Sequence, residues 1–268
     1  MELFDTHCHM HEIARKVSPM HDKWLSDGVQ RTPESVIAAA HEVGVTRMLC
    51  IGTTLADSEL AVELAGKHEN VWASIGIHPH EAKDHLEEAT KKRFTALASQ
   101  PKVVAVGECG LDYYYNHSPK EAQIDLLRFQ IELALEHDLP LSFHVREAFD
   151  DFWPVFESYQ GVRGVVHSFT DNMANLERAL GHGLYIGVNG IATFAKKPEE
   201  SVVYCAIPKD SLLLETDAPF LTPAPFRGKV CESRHVRITA EFLSKLRDES
   251  LQELAAATTA NARKLFKV

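Results

Sequence analysis

The sequence predicts an α/β chain of the (β/α)8 TIM-barrel class. Short apolar runs alternate with amphipathic segments along the whole length, and eight such pairs can be counted. Strand–helix alternation calls for parallel strands joined by crossover helices, and eight units suggest that the sheet closes. The stretch after the first strand is His7-Cys8-His9, where an open doubly wound sheet would usually carry a glycine-rich phosphate loop. A chain of 268 residues suits one such barrel, and residues 1–268 read as a single domain with no linker, low-complexity tract or short-period repeat.

Strand one covers residues 2–6 and delivers two histidines at its end. A loop follows through Ser18-Pro19 and Asp27-Gly28. Thr32-Pro33 then opens a helix with a threonine cap and proline in the first turn, running to about residue 43 and stopping at Gly44. Strand two is residues 48–51, followed by a helix over 57–68 and strand three over 71–77. A helix over 87–99 precedes strand four at 103–107. Ser118-Pro119-Lys120-Glu121 reads as a capping box that opens a long helix to about residue 137, with Ile124, Leu127, Ile131 and Leu135 at helical spacing. Strand five is 140–143, with a helix through Phe156 after it. Strand six is 164–166, and its helix covers 172–181. Strand seven is 184–188, with a helix over 199–206, and strand eight is 212–215. Helices over 233–246 and 250–266 close the chain, the second with the capping box Ser250-Leu251-Gln252-Glu253.

Composition narrows the class of function. The 45% hydrophobic and 25% charged residues are ordinary for a soluble globular protein. A net charge of −10 excludes broad, non-specific binding to duplex nucleic acid, which needs a basic face, but leaves room for a small basic patch. The five cysteines, an odd number with no C-x-x-C spacing, read as reduced thiols in a cytoplasmic protein. Neither a secretory leader nor a membrane-spanning helix is expected.

Catalytic groups of such barrels sit at the C-terminal ends of the strands. There the sequence places His7 and His9, then His78 and His80, Glu108 and Asp112, His144 and Arg146, His167, and Glu215 and Asp217. In a strand, residues two apart share a face, so His7 and His9 point together with Cys8 turned away. Imidazole and carboxylate are ligands for divalent cations. His7, His9, Glu108, His144, His167 and Asp217 offer four nitrogens and two carboxylates, more than one tetrahedral ion uses. Two ions sharing a bridging carboxylate fit better. The division expected is His7, His9 and Asp217 on one ion, His144 and His167 on the other, and Glu108 between them. Asp217 then serves as both ligand and general base toward a metal-activated water.

These residues resemble the TatD deoxyribonuclease family of metal-dependent hydrolases. The matching segments are Asp5-Thr6-His7-Cys8-His9, Gly76-Ile77-His78-Pro79-His80, Gly107-Glu108-Cys109-Gly110-Leu111-Asp112-Tyr113-Tyr114, His144-Val145-Arg146, His167-Ser168-Phe169-Thr170 and Leu214-Glu215-Thr216-Asp217-Ala218-Pro219, in the family's order. The resemblance implies a TIM barrel, one or two divalent cations, and hydrolysis of phosphodiester bonds in DNA. The chain departs from the family at His11, Asp171, Cys231 and Ser233, none of them a proposed ligand, while Arg227-Gly228-Lys229 is kept.

Outside the ligand set, His78, Arg146, Arg227 and Lys229 are candidate substrate contacts, since guanidinium and ammonium groups bind phosphate. Each basic residue has a plain alternative as a solvated or rim residue. Tyr113, Tyr114 and Tyr115 could stack on unpaired bases. Asp112 reads as a supporting group, and Cys8 and Cys109 as buried thiols. The expected function is hydrolysis of DNA, most simply as an exonuclease on single-stranded ends, by a monomer using magnesium, manganese or zinc. A hydrolase of small amides, esters or lactones is the alternative, disfavoured because related barrels often carry a carbamylated lysine on strand four, where Glu108 stands here. A non-catalytic metal- or partner-binding barrel is the third reading.

Overall fold

The computed structural model describes residues 1–15, 17–84, 87–195 and 198–268. Its strands are β1 (Leu3–Cys8), β2 (Val45–Ile51), β3 (Val71–Ile75), β4 (Val103–Asp112), β5 (Leu141–Arg146), β6 (Gly164–Val166), β7 (Tyr185–Val188) and β8 (Leu212–Leu214), joined in one sheet in chain order. The pairings whose register is defined are parallel. The helices are α1 (Pro19–Leu25), α2 (Pro33–Glu42), α3 (Leu55–Lys67), α4 (Glu88–Ala98), α5 (Lys120–Glu136), α6 (Phe149–Glu157), α7 (Met173–Gly181), α8 (Pro198–Ala206), α9 (Val236–Leu246) and α10 (Leu251–Phe266). Just past β8, Ala218 bridges in parallel to Cys8 of β1. This is the (β/α)8 TIM-barrel class that the alternation predicts. No helix among the described residues is long and apolar enough to cross a membrane.

The chain divides into two compact units. The first holds Met1–Cys50 and Ser168–Lys264. Its interior is built on Leu3, Val45, Met48, Ile186, Leu212 and Leu214, all buried. Thr32 caps α2 as expected, accepting from Ser35 N, while Ser35 Oγ accepts from Thr32 N and Pro33 fills the first turn. Gly44 ends that helix at φ +85°, and a Cβ there would meet Met1 O at 2.8 Å. The loop expected around Ser18-Pro19 instead contains α1, capped by Ser18 Oγ on His21 N (2.9 Å). The cap-plus-proline signal was present there, but seven residues are too few for a readable period. In α10, Asn261 Nδ2 donates to Lys209 O (2.8 Å) and Leu212 O (2.9 Å), pinning the helix to the start of β8.

The second unit holds Ile51–His167 and Leu265–Val268. Here β4 runs ten residues, all buried, and extends through the glutamate motif rather than stopping at residue 107. Gly110 lets it lie against β5, because a Cβ there (φ +147°) would collide with His144 O. Phe143 of β5 packs on Phe152 and Phe156 of α6, with ring centroids 5.2 and 5.8 Å apart. On α5, Leu127 and Ile131 are buried, but Leu135 is 37% exposed. The buried stripe turns toward Gln123 and Gln130 instead. Gln130 bonds both Ile77 N (2.8 Å) and Ile77 O (3.0 Å), and Gln123 Oε1 accepts from Asp112 N (2.8 Å). The capping box expected at Ser118 does not form. Pro119 is the cap residue with no side-chain bond, and Ser118 Oγ donates to His80 O (2.7 Å) while accepting from Lys83 N (3.2 Å). A tertiary contact has taken the hydroxyl that local pattern assigned to the helix.

Candidate metal centre

In the first unit the ends of β1 and β8 are clamped together before any ligand is considered. Asp5 is fully buried and accepts from Thr216 N (2.9 Å) and Thr216 Oγ1 (2.8 Å). Burial pushes its carboxyl up to about 7, against the pull of these hydrogen bonds. Backbone bonds from Asp217 N to His7 O (2.8 Å) and from His9 N to Ala218 O (2.8 Å) complete the clamp. The clamp sets three side chains in one place. His7 Nε2 lies 3.6 Å and His9 Nε2 3.3 Å from the same oxygen, Asp217 Oδ1. The two rings stand edge to face, 5.1 Å apart, so the expected shared face is observed. Cys8 points away and donates to Leu49 O (3.5 Å). Trp24, carried by α1, donates to His9 O (3.1 Å) from beneath.

Glu215, at the end of its strand, takes no assigned role from the sequence pattern. It is buried, and Oε1 accepts from Ser168 N (2.7 Å) and Asn189 Nδ2 (3.3 Å). Gly187 makes room for it, since a Cβ there would strike the Glu215 carboxylate.

The second unit builds a different cluster on Glu108. Its Oε1 lies 2.8 Å from His144 Nδ1, 3.5 Å from His78 Nε2 and 3.6 Å from His167 Nε2. His78, Glu108 and His144 form a group able to hold a metal ion. His78 thus lies against Glu108, a carboxylate expected to be a ligand. Burial depresses its pKa to about 4. Asp112, also buried, lies 3.0 Å from both His144 Nε2 and His80 Nε2, and its other oxygen accepts from Tyr114 N and Tyr115 N, each at 3.0 Å. Burial opposes its ionisation, but these bonds outweigh burial and hold the carboxyl far below the usual range. Burial likewise opposes protonation of His144, and the carboxylates Asp112 and Glu108 overcome it and raise its pKa. Asp112 is thus the supporting group expected.

The distances decide what the clusters suit. In a tetrahedral shell, two ligands each ~2.1 Å from a cation lie ~3.4 Å from one another. Of the five imidazole distances to Asp217 and Glu108, four fall between 3.3 and 3.6 Å, whereas His144–Glu108 at 2.8 Å and the two contacts to Asp112 at 3.0 Å are ordinary hydrogen-bond lengths. The donors fit a divalent cation in chemistry and spacing.

The basic candidates lie on aromatic supports. Arg146 is exposed, its guanidinium 4.1 Å from the ring centre of Tyr114 and 4.8 Å from that of Tyr115. Tyr113 is engaged elsewhere, donating to Asp151 (2.9 Å) under the Lys120 ammonium (3.9 Å). Tyr114 and Tyr115 are 54% and 51% exposed, and Tyr115 is already stacked on His117, ring centroids 5.7 Å apart. In the first unit, exposed Arg227 lies 5.0 Å from the Phe194 ring centre, and Arg227 and Lys229 line one cleft. Asp171, at a departure from the family pattern, accepts from Asn172 N (2.8 Å) and Asn175 Nδ2 (2.7 Å) at the start of α7.

Residues 4–267 match the model of the TatD-related DNase family. The chain is 37% identical over 270 residues to the uncharacterized metal-dependent hydrolase YabD of Bacillus subtilis, covering 99% of each. It is 33% identical over 242 residues to the 3'-5' ssDNA/RNA exonuclease TatD of Escherichia coli K12, covering 88% of this chain and 93% of that protein. The crystal structure of YJJV, a TatD homologue from Escherichia coli, superposes with a TM-score of 0.86 at 29% identity, covering 99% and 98% of the two chains. A hydrolase of the TatD family from Entamoeba histolytica, at 22% identity and a TM-score of 0.85, shares the fold. The ligand-bearing motifs, the barrel and these likenesses agree, and the chain belongs to the TatD-related DNase family.

Proposed function

We propose that this chain is a metal-dependent nuclease that removes nucleotides from the ends of single-stranded DNA. Two cations would be held, one by His7, His9 and Asp217 and one by His144 and His167, with Glu108 among the ligands. One observation carries the reading. Asp217 and Glu108 each present one oxygen to two or more imidazole nitrogens at spacings near those of neighbouring cation ligands. The family, and a relative named as a 3'-5' exonuclease on single-stranded DNA and RNA, support the substrate. RNA is accordingly a competing substrate to be tested beside DNA.

A bound divalent cation supplies Lewis acidity, polarising the phosphodiester and making water acidic near neutral pH. The remaining work falls to the chain. Asp217, with a side chain 16% exposed beside two nearly buried imidazoles, accepts the proton of the attacking water. His78 is neutral at physiological pH and contributes a hydrogen bond rather than a charge. Arg146, Arg227 and Lys229 hold phosphates of the strand, local cations on a chain of net charge −10. Mixed histidine and carboxylate donors accept magnesium, manganese or zinc. The proposed setting is the cytoplasm, where the cysteines, all free and four of them buried, stay reduced, and the proposed state is a monomer.

The test is release of nucleotide from 3′-labelled single-stranded DNA with magnesium, manganese or zinc, comparing wild type with Glu108→Ala. Metal-dependent release that disappears in the variant is expected. If wild type releases nothing with any of the three metals, the reading fails and amide and ester substrates come next.

A further inference from the structure

We propose that a cleft of about 290 Å³ in the first unit, lined by Lys23, Arg227, Lys229, Phe194 and Phe220, is a subsite for one nucleotide unit, with phosphate on the three cations and the base against the phenyl rings. Its place in catalysis rests on the nuclease reading, but its ligand chemistry does not. The volume lies near the small end of ligand pockets, ~300 Å³. On an acidic chain, three cations converge on one depression, and among the described residues none of them pairs with a carboxylate. Unpaired cations gathered in a concave site make an anion site, and the aromatic wall adds a surface for a planar base. Lys23 comes from α1 and is half-buried, so its ammonium is held near the cleft rather than swept through solvent.

The cleft is built rather than incidental. Its floor, Pro219-Phe220-Leu221-Thr222, begins two residues after Asp217, on the segment that carries the proposed general base. Leu221 holds φ +55°, a conformation a leucine keeps only where its surroundings impose it. The surroundings are visible. Thr222 Oγ1 donates to Lys229 O (2.7 Å), Ala224 N donates to Thr193 Oγ1 (2.9 Å), and a Cβ at Gly190 would collide with Leu221 O. These contacts tie the cationic loop, the floor and the Phe194 segment into one rigid frame.

Titration calorimetry of the metal-loaded protein with deoxyadenosine monophosphate and, separately, inorganic phosphate tests the subsite. Phe194→Leu is expected to weaken the nucleotide about fivefold while leaving phosphate unchanged, because only the stacking surface is lost. Lys23→Gln is expected to weaken both ligands about threefold to tenfold. In steady-state cleavage of single-stranded DNA, both variants should raise KM with kcat within about twofold, and hydrolysis of bis(p-nitrophenyl) phosphate should not change. Wild-type binding of the nucleotide by both variants overturns the subsite, as does equal loss on the small diester. If wild type cuts no DNA, the nuclease reading falls while the calorimetry still decides the subsite. Failure of wild type to bind the nucleotide overturns it outright.

Discussion

The Asp217 cluster and the Glu108 cluster use the same groups and satisfy them differently. Around Asp217, backbone bonds and the buried Asp5 position two imidazoles at 3.3 and 3.6 Å from one carboxylate oxygen, beyond good hydrogen bonding for His7. Around Glu108, His144 is bonded on both ring nitrogens, to Glu108 at 2.8 Å and to Asp112 at 3.0 Å. The first cluster is held in place chiefly by the backbone and the Asp5–Thr216 contact. The second carries its own counter-charges and is largely satisfied by hydrogen bonds alone. The two clusters should therefore respond unequally to mutation and to chelation.

The largest effect is expected at the ligands themselves. Asp217→Asn removes ligand charge and proton acceptor together and should lower kcat by about 10⁴, whereas Glu108→Gln should lower it by about 10³, both read in single-strand cleavage. Retention of most activity in Glu108→Gln would break the comparison, since the second cluster would then not depend on that carboxylate's charge. Next comes Asp112→Asn, which leaves every ligand in place but loosens His144 and should cost about 10- to 100-fold in kcat, as supporting groups in metal sites do. Chelation follows. Bound cation at ~100 times Kd contributes ~2.7 kcal/mol, so removal should lower Tm by about 5–10 °C. The drop should shrink by half in Asp217→Asn and less in Asp112→Asn if the Asp217 side depends more on the ion. Arg227→Ala and Arg146→Ala should each raise KM about threefold to tenfold, and a double variant with additive effects would show that the two aromatic-supported cations act independently. The smallest effect is on acid stability. His235, in the first unit, is held at about 4 by burial and by neighbouring Arg234. Against an ordinary value near 6.5, the unfolded chain takes up the proton first, so stability falls as pH drops from about 6.5 to 4. His235→Gln should flatten the fall in Tm across that window by a few degrees.

Much of this was legible in sequence because it is local. Short apolar runs and helical patterns located all eight strands and their following helices, and the strand-end rule put His7, His9, Glu108, His144, His167 and Asp217 on one list. What was missed depends on contacts distant in the chain. β4 runs on to Asp112 because it pairs with β5 through Arg146, which an apolar-run reading of residues 103–107 has no means to register. Ser118 serves His80 instead of capping α5, and α5 turns Gln123 and Gln130 inward because Asp112 and Ile77 offer them backbone partners. His78 reads as a strand-end substrate contact, and the structure sets it 3.5 Å from Glu108. Lys23 carries no signal in the sequence, and α1 delivers it to the cleft beside Arg227, some 200 residues later in the chain. The sequence by itself determined the fold class, the family and the chemistry of the ligands, since these follow from residue type and short-range period. Only the tertiary structure decided which carboxylate faces which imidazole and where the cations converge, because those partners are chosen by packing across the strands and not by neighbours along the chain.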